Sequence, residues 1–197
     1  MKILAFVDLH GDTSFLKKIV KRAQKDDIDL VVCAGDFSVF ETGAGYVLKQ
    51  LNSIGKPVLL IPGNHEVPET TKMAEKEFEN IIDLHEKSWQ KDNYLFLGYG
   101  TGGFAKTDPR FRKVAREWRR KLKDEKIIMV LHGPPHGTKL DEVMGEQVGN
   151  KDFTMGIKRL IPKLVICGHI HENAGKIDFI GKTQVINPGY EGMVIEI

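Results

Sequence analysis

Five short motifs in this sequence carry side chains that often bind divalent metal ions. Each motif directly follows a run of apolar residues and contains aspartate, asparagine or histidine. The motifs are Asp8-Leu9-His10, Gly35-Asp36, Gly63-Asn64-His65-Glu66, His132-Gly133 and Gly168-His169-Ile170-His171. Imidazole and carboxylate groups suit zinc, manganese, iron and similar ions, and an amide oxygen suits a harder ion. The residue types therefore indicate metal chemistry.

The spacing within two of these motifs allows pairs of side chains to act together. In Asp8-Leu9-His10 and in His169-Ile170-His171, the outer residues are two apart. Residues two apart on an extended chain point the same way, so each pair can reach one cavity. Glycines beside the candidate ligands permit tight turns or the close approach of a substrate.

The apolar runs before the motifs predict strands that are buried on both faces, because they are nearly continuous in Ile, Leu and Val. We expect strands at Lys2–Val7, Asp29–Ala34, Pro57–Ile61, Tyr94–Leu97, Lys126–Leu131 and Lys163–Cys167. Functional groups of open α/β sheets collect at the carboxyl ends of the strands. The five motifs should therefore converge on one crevice.

Amphipathic stretches between these strands predict helices, since their apolar residues recur on one face. The helical stretches are Thr13–Lys25, Thr70–Glu86, Phe111–Leu122 and Phe153–Leu160. Three strand-like runs separated by turn signals follow near the end: Gly175–Ile180, Thr183–Asn187 and Met193–Ile197. We expect βαβ units followed by a β meander, forming one layered α/β domain over residues 1–197.

The composition limits the classes of partner. Hydrophobic residues make up 41% of 197 residues, enough for one well-cored domain. The formal net charge is only +2, which gives no general reason to expect nucleic acid or an anionic membrane. Cys33 and Cys167 are the only cysteines, too few for a disulfide scaffold or a cysteine-based zinc site. Without a signal peptide or a membrane-spanning run, we expect a cytoplasmic protein.

The order of the five motifs resembles the signature of the calcineurin-like metallophosphoesterase superfamily, from Asp8 to His171. The stretch His132-Gly133-Pro134-Pro135 is similar to the Icc-like branch of metallophosphoesterase-domain phosphodiesterases, some of which hydrolyse cyclic nucleotides. The resemblance implies a four-layer α/β/β/α sandwich. It also implies hydrolysis of a small phosphate ester with two divalent metal ions, for which we expect manganese, with iron, zinc, nickel or magnesium as alternatives.

The resemblance further implies a role for each residue. One metal would be bound by Asp8, His10, Asp36 and His171. The second metal would be bound by Asp36, Asn64, His132 and His169, with the Asp36 carboxylate bridging both. His65 is not a ligand in the family. It would face the substrate and either protonate the leaving oxygen or stabilise the phosphoryl group.

Charge balance explains why such a set suits the reaction. Two divalent cations, two aspartates and a bridging hydroxide leave a centre of about +1, which attracts a phosphate anion and stabilises developing charge. Metals about 3.5–4 Å apart also lower the pKa of a bound water toward roughly 7. We therefore expect in-line attack by a metal-bridging hydroxide, with no covalent enzyme intermediate.

Two positions depart from the family pattern. Many members have Gly-Asp-x-x-Asp, whereas Gly35-Asp36 is followed here by Phe37-Ser38-Val39. His65 would then lack the carboxylate that orients the corresponding histidine in the protein phosphatases. Relatives often have Asn-Pro-Gly-Ser near the end, where this chain has Asn187-Pro188-Gly189-Tyr190. Asn187 either supports the site or forms a plain turn.

Four further features are weaker candidates. Phe104, in the glycine-rich segment 98–108, could border the pocket and stack on a base. His136 either lines the substrate mouth or lies in an exposed loop. His85 should pack on the apolar face of the Thr70–Glu86 helix. The basic run from Arg110 to Lys123 should be a solvated helix surface.

The complete ligand set and the His-Gly-Pro-Pro similarity favour a phosphodiesterase for small nucleotide-like or cyclic diesters. A phosphomonoesterase or broad-specificity phosphoesterase would have the same metal ligands and stays open. A non-catalytic binding domain of this fold should have lost ligands, and none is missing. A nuclease working in a larger complex would need an added DNA-binding or capping domain, and we expect none in these 197 residues.

Overall fold

Two β-sheets packed face to face form the centre of the molecule. The structure is a computed structural model that describes residues 1–123 and 125–197. In chain order its elements are β1 (Lys2–Phe6), α1 (Thr13–Ala23), β2 (Leu30–Cys33), α2 (Ala44–Asn52), β3 (Val58–Leu60), α3 (Pro68–Glu77), β4 (Ile81–Asp83), β5 (Ser88–Lys91), β6 (Tyr94–Tyr99), α4 (Pro109–Lys121), β7 (Lys126–Leu131), β8 (Glu142–Val143), β9 (Glu146–Gln147), α5 (Lys151–Leu160), β10 (Leu164–Ile166), β11 (Ile177–Ile180), β12 (Thr183–Ile186) and β13 (Met193–Glu196).

The strand order places the two halves of the chain in different sheets. The first sheet has the order β13-β1-β2-β3-β4, and the second has the order β11-β12-β10-β7-β6-β5. β8 and β9 form a separate short hairpin. Neighbours β1, β2, β3 and β4 run parallel, as do β6, β7, β10 and β12. The carboxyl ends of the central strands therefore meet at one edge of each sheet.

Three hydrophobic cores show that the strands are buried on both faces. In β1, Leu4 and Phe6 belong to the core shared with α1, α2 and α3, while Ile3 and Ala5 belong to the core between the sheets. A third core joins the second sheet to α4 and α5, with Phe111 and Phe153 at its centre. The layers are thus α/β/β/α, and the expected four-layer sandwich is confirmed.

The predicted helix Thr70–Glu86 is wrong in its C-terminal half. α3 ends at Glu77, and Phe78 is already extended, with φ −119° and ψ 124°. Ile81 and Ile82 instead pair with β3 in parallel, opposite Val58 and Leu59. Their spacing from Ala74 matches a helix by coincidence. Ile81 and Ile82 form a strand rather than a helix because pairing with β3 satisfies the backbone hydrogen-bonding groups along β3 and still buries the apolar side chains.

Two other differences concern elements that lack a clear periodic signal. Helix α2, strand β5 and the β8–β9 hairpin do not follow from the hydrophobic pattern used above. The expected C-terminal meander is only half formed. β11 and β12 are antiparallel neighbours, but β13 crosses to the other sheet and pairs with β1, with Ile3 opposite Ile195.

None of the helices in the described part of the chain combines the length and the apolar character that a membrane span requires.

Replacing Phe96 with alanine should test the core between the sheets. Phe96 lies in β6 with no exposed surface and contacts Trp89, their ring centroids being 5.7 Å apart. Phe96→Ala should reduce the free energy of unfolding by about 3–5 kcal/mol, measured by urea denaturation. Phe179→Ala on β11 is the matched control, because that ring is 60% exposed. An equal loss in both variants would contradict the assignment of this core.

Candidate metal centre

The five motifs meet at the carboxyl ends of β1, β2, β3, β7 and β10, as the sequence predicts. Backbone hydrogen bonds hold the loops side by side. The Asp8 N–H donates to the Gly35 carbonyl at 3.2 Å, and the His10 N–H donates to the Asp36 carbonyl at 2.9 Å. From the second sheet, the Gly168 N–H donates to the His132 carbonyl at 2.8 Å. These bonds fix the separation of the loops that carry the candidate ligands.

Four of the candidate ligands have a left-handed backbone conformation. The φ angles are 56° for Asp8, 46° for His10, 51° for Asp36 and 72° for His169. Such angles cost roughly 1–3 kcal/mol for a residue other than glycine and are concentrated at functional sites. Aspartate, asparagine and histidine tolerate them better than most residues do. The chain thus turns sharply as it leaves each of these strands, and the side chains enter a common space.

Two glycines allow the loops to come close together. A Cβ at Gly63 would overlap the Asp36 carboxylate, and a Cβ at Gly35 would lie 2.6 Å from the Gly63 nitrogen. Gly35 also has φ 97°, which an L side chain rarely adopts. Without these two glycines, Asp36 could not occupy its position between the two sheets.

The Asp36 carboxylate lies at the centre of the site and is only 2% exposed. Its Oδ2 is 3.4 Å from His132 Nε2, 3.8 Å from His10 Nε2 and 4.0 Å from His65 Nε2. Its Oδ1 accepts the His65 N–H at 2.9 Å. Burial by itself would raise the pKa of Asp36, but His132 and the His65 N–H outweigh it and lower this pKa to about 2. Asp36 is therefore a carboxylate at neutral pH.

Asp8, His10 and His171 form a first group of candidate ligands beside Asp36. Asp8 Oδ2 accepts the His169 N–H at 2.9 Å, whereas Asp8 Oδ1 is buried and has no hydrogen-bond partner among the described residues. Burial raises the pKa of Asp8 to about 6. The Nε2 atoms of His10 and His171 are 3.0 Å apart and point at each other. Such a group of converging carboxylate and imidazole atoms suits a cation.

His132, His169 and Asp36 form a second group. His132 Nδ1 is 3.0 Å from the Ala34 carbonyl, which can only accept, so this nitrogen carries a proton and Nε2 is the ring nitrogen that faces the site. Nε2 lies 3.0 Å from Asn64 Oδ1 and 3.4 Å from Asp36 Oδ2, and it would present its lone pair to a cation bound between them. His169 Nε2 is buried without a partner among the described residues, and burial lowers the pKa of His169 to about 4.

The two groups fit divalent cations by the chemistry of their donors. Each combines imidazole nitrogen with carboxylate oxygen, the set that suits manganese, iron and zinc. Buried polar atoms usually have partners, so Asp8 Oδ1 and His169 Nε2 need an explanation. A cation in each group would provide their missing partners. The structure thus brings together all seven side chains that the sequence predicts as ligands.

His65 lies beside the two groups, at the edge of the first. One of its ring nitrogens lies within 4.8 Å of ligand atoms of His10 and Asp36. Its Nδ1 is buried and has no hydrogen-bond partner among the described residues, in keeping with the missing second aspartate of the motif. Phe40 stacks on the His65 ring instead, with centroids 4.1 Å apart and planes inclined by 25°. Ring stacking therefore holds His65 on that side.

Glu66 is the one polar residue of the motifs to which the sequence assigns no role. Its buried carboxylate accepts from the Asp36 and Gly63 N–H groups at 3.0 and 2.9 Å. It also accepts from the Ser38 N–H at 2.9 Å and the Ser38 hydroxyl at 2.7 Å. Glu66 therefore braces the loop of Asp36 against the loop of Asn64 and His65. The only feature of the sequence that points to this role is the position of Glu66 directly after Asn64 and His65.

The weaker candidates lie at different distances from the centre. Phe104 borders it, since its ring meets that of His169 with centroids 4.4 Å apart. His136 Nδ1 is 3.4 Å from Asp141 Oδ2, in the loop that leads to β8. His85 follows β4 rather than lying on a helix, and its Nδ1 accepts the Gly100 N–H at 3.0 Å. Asn187 is buried, and its side chain donates to the Ile170 carbonyl at 3.2 Å. Asn187 thereby supports the His169–His171 loop.

Comparisons with known proteins agree with this geometry. The sequence model described as calcineurin-like phosphoesterase matches residues 1–173. A UPF0046 protein of Caenorhabditis elegans is 26% identical over an alignment of 185 residues, gaps included, and the match covers 82% of this chain and 62% of that protein. The chain thus spans less than two thirds of the length of this relative.

Solved structures share the fold at low sequence identity. The protein TT1561 of Thermus thermophilus has a TM-score of 0.77 at 22% identity, covering 95% of this chain and 88% of its own. A dimetal phosphatase from Danio rerio has a TM-score of 0.67 at 12% identity, covering 94% and 86%. An archaeal phosphodiesterase has a TM-score of 0.54 at 20% identity, covering 96% and 84%.

Glu66→Gln should loosen the site without removing a ligand. The new amide would direct N–H donors at backbone N–H groups that now donate to a carboxylate. We expect a loss of about 2–3 kcal/mol in the free energy of unfolding and weaker binding of Mn²⁺, measured by denaturation and calorimetry. Glu77→Gln at the exposed end of α3 is the control. Unchanged stability and metal affinity in Glu66→Gln would refute the bracing role.

Asp8→Asn should stabilise the metal-free protein at pH 7. The rise of the Asp8 pKa from its ordinary 3.8 to about 6 means that the folded state holds the proton more tightly. The free energy of unfolding of the metal-free parent protein therefore falls as pH rises from about 4 to about 6, by up to roughly 3 kcal/mol. Denaturation of chelator-treated protein should show Asp8→Asn more stable at pH 7, with the gain shrinking toward pH 4. Asp26→Asn, on the surface, should change neither value. A less stable Asp8→Asn at pH 7 contradicts this account.

Proposed function

This chain belongs to the calcineurin-like phosphoesterase family, and we propose that it is a metal-dependent phosphoesterase that uses two divalent cations to hydrolyse phosphodiesters. The observation that supports the proposal is the buried Asp36 carboxylate, which adjoins both groups of candidate ligands. We assign one cation to Asp8, His10, Asp36 and His171. The other is assigned to Asp36, Asn64, His132 and His169. Manganese is the proposed metal, since mixed imidazole and carboxylate donors suit it.

The cations would polarise the phosphoryl oxygens and lower the pKa of a water molecule, as dinuclear sites do in general. The protein has three tasks beside this. Asp8 and Asp36 keep a negative charge that balances the cations. His132 is fixed in one tautomer by the Ala34 carbonyl, so its free nitrogen points inward. The strained loops hold all ligands in place before substrate arrives, which reduces the reorganisation needed during the reaction.

His65 is the proposed proton donor to the leaving oxygen. Its ring is part-buried beside Asp36, and its backbone N–H is tied to the Asp36 carboxylate. The Phe40 ring restricts rotation of the imidazole, replacing the hydrogen bond that a second aspartate would have supplied. Cys33 and Cys167 are fully buried, and burial raises the pKa of both thiols. Neither thiol is therefore suited to act as a nucleophile.

The charge around the centre favours a diester over a monoester. A phosphate monoester carries close to two negative charges at neutral pH, and a diester carries one. Among the described residues, no lysine or arginine forms a hydrogen bond or ion pair with the seven candidate ligands or His65. The pocket wall beside His10 contains Asp12 and likewise no lysine or arginine. A monoanionic diester needs less positive charge from the site than a dianionic monoester does.

A phosphomonoesterase is the second candidate, because the same ligands would serve it. Proteins of this fold include one described as a dimetal phosphatase and one described as a phosphodiesterase. Their sequence identities of 12% and 20% show a common fold and do not distinguish the two activities. The distinction must come from substrate preference.

Steady-state hydrolysis of bis(p-nitrophenyl) phosphate and p-nitrophenyl phosphate with Mn²⁺ separates the two activities. We expect kcat/KM for the diester to exceed that for the monoester by at least about 10-fold, because the site supplies little positive charge beyond the cations. Asp36→Asn should lower both activities by about 1000-fold or more, since it removes the shared ligand. Asp26→Asn is the surface control. A larger kcat/KM for the monoester would reverse the assignment, and full activity in Asp36→Asn would exclude the proposed centre.

A further inference from the structure

A pocket of about 260 Å³ opens directly beside the first group of candidate ligands. It is lined by Asp8, Leu9, His10, Asp12, Phe15, His171 and Tyr190. Three of these side chains belong to the metal centre, so a phosphate placed there would lie at the mouth of the pocket. The other wall is aromatic and includes Phe15 and Tyr190.

The aromatic wall consists of Phe15 and Tyr190. Their ring centroids are 4.7 Å apart and their planes are inclined by 67°, an edge-to-face arrangement. In such a pair, the ring that presents its edge keeps both faces uncovered by the other. Phe15 is part-buried against the core below α1, whereas Tyr190 is 38% exposed. Lys18 Nζ lies 4.6 Å from the centroid of the Phe15 ring, so the ring that the wall offers to a ligand is that of Tyr190, supported by Phe15.

The turn that carries Tyr190 is connected to the metal centre by hydrogen bonds. The Gly189 carbonyl accepts the Val7 N–H at 3.1 Å, one residue before Asp8. The Gly189 N–H donates to Asn187 Oδ1 at 2.9 Å, and Asn187 in turn supports the His169–His171 loop. The position of the Tyr190 ring relative to the first group of ligands is thus fixed by the backbone rather than left to a mobile loop.

We propose that this pocket binds the ester group that stays on the phosphate, and that it selects neutral, planar aromatic groups. The proposal rests on the diesterase function above. His65, the proposed proton donor, does not line the pocket, so the leaving group lies elsewhere and the retained group enters here. The volume of about 260 Å³ suits a single ring system rather than a longer chain. Aromatic side chains bind such rings by stacking.

Asp12 further limits the type of ester group that the pocket accepts. It lines the pocket and caps α1, where its Oδ1 accepts the Ser14 and Phe15 N–H groups at 2.8 and 3.1 Å. Its negative charge disfavours a second anionic group in the pocket, because like charges repel. A neutral heterocycle of the nucleobase type fits this wall better than an ester group that carries its own phosphate or carboxylate.

Two diesters with the same leaving group test the pocket. Bis(p-nitrophenyl) phosphate retains an aromatic ester, and methyl p-nitrophenyl phosphate retains a methyl ester. We measure the ratio of kcat/KM for the aromatic diester to kcat/KM for the methyl diester. Tyr190→Ser should lower this ratio roughly 10-fold, mainly through KM of the aromatic diester, since a stacking partner is lost. Tyr190→Phe, which keeps the ring, should restore the ratio.

Tyr46→Ser is the matched control, because Tyr46 is 47% exposed on α2 and does not line the pocket. It should leave the ratio as in the parent protein. Phe15→Leu is a second variant that should lower the ratio as Tyr190→Ser does. An unchanged ratio in Tyr190→Ser, or a fall that Tyr190→Phe does not reverse, overturns the proposal.

Calorimetric binding of bis(p-nitrophenyl) phosphate to the Mn²⁺-loaded protein separates this proposal from the proposed function. If neither diester is hydrolysed but Tyr190→Ser weakens binding about 10-fold, the pocket stands and the diesterase assignment fails. If both diesters are hydrolysed but binding and ratio are the same in Tyr190→Ser and the parent protein, the pocket proposal fails alone.

Discussion

The structure depends on one constraint, the burial of the Asp36 carboxylate among histidine rings. A buried charge without partners costs several kcal/mol, so the fold must either neutralise it or surround it with donors and cations. Here His132, His10 and His65 surround Asp36, and the low pKa of about 2 keeps the carboxylate ionised. The same arrangement leaves acceptor atoms facing one another. The proposed pair of divalent cations would resolve both problems at once, and this links the fold to its proposed chemistry.

Much of the molecule serves to hold that carboxylate in place. Gly35 and Gly63 leave room for it, and Glu66 braces the loops on either side of it. Several ligands have a strained left-handed backbone, which the strand pairing and the cores on both faces of each sheet must offset. The site is therefore rigid because of its surroundings. Its aromatic border extends from Phe40 beside His65 to Tyr190 beside His10.

The sequence predicted the strands that lead into the ligand motifs, the layered fold and the convergence of the ligands, because apolar runs that end in polar motifs obey simple rules of period and strand direction. It failed where two patterns overlap. Ile81 and Ile82 fit a helix that starts at Thr70, and only pairing with β3 decides between helix and strand. The sequence also could not predict the stacking of Phe40 on His65 or the pocket that Tyr190 lines. Both depend on loop turns whose geometry arises from hydrogen bonds between segments distant in sequence.

The central claim is that two cations share Asp36. Crystals of the protein grown with Mn²⁺ should be measured at the manganese absorption edge, and an anomalous difference map calculated. The account predicts two peaks on opposite sides of the Asp36 carboxylate, one beside Asp8, His10 and His171 and the other beside Asn64, His132 and His169. Dinuclear hydrolases place such ions about 3.5–4 Å apart. No peak at this carboxylate, or a single peak that contacts only one of the two groups, would contradict it.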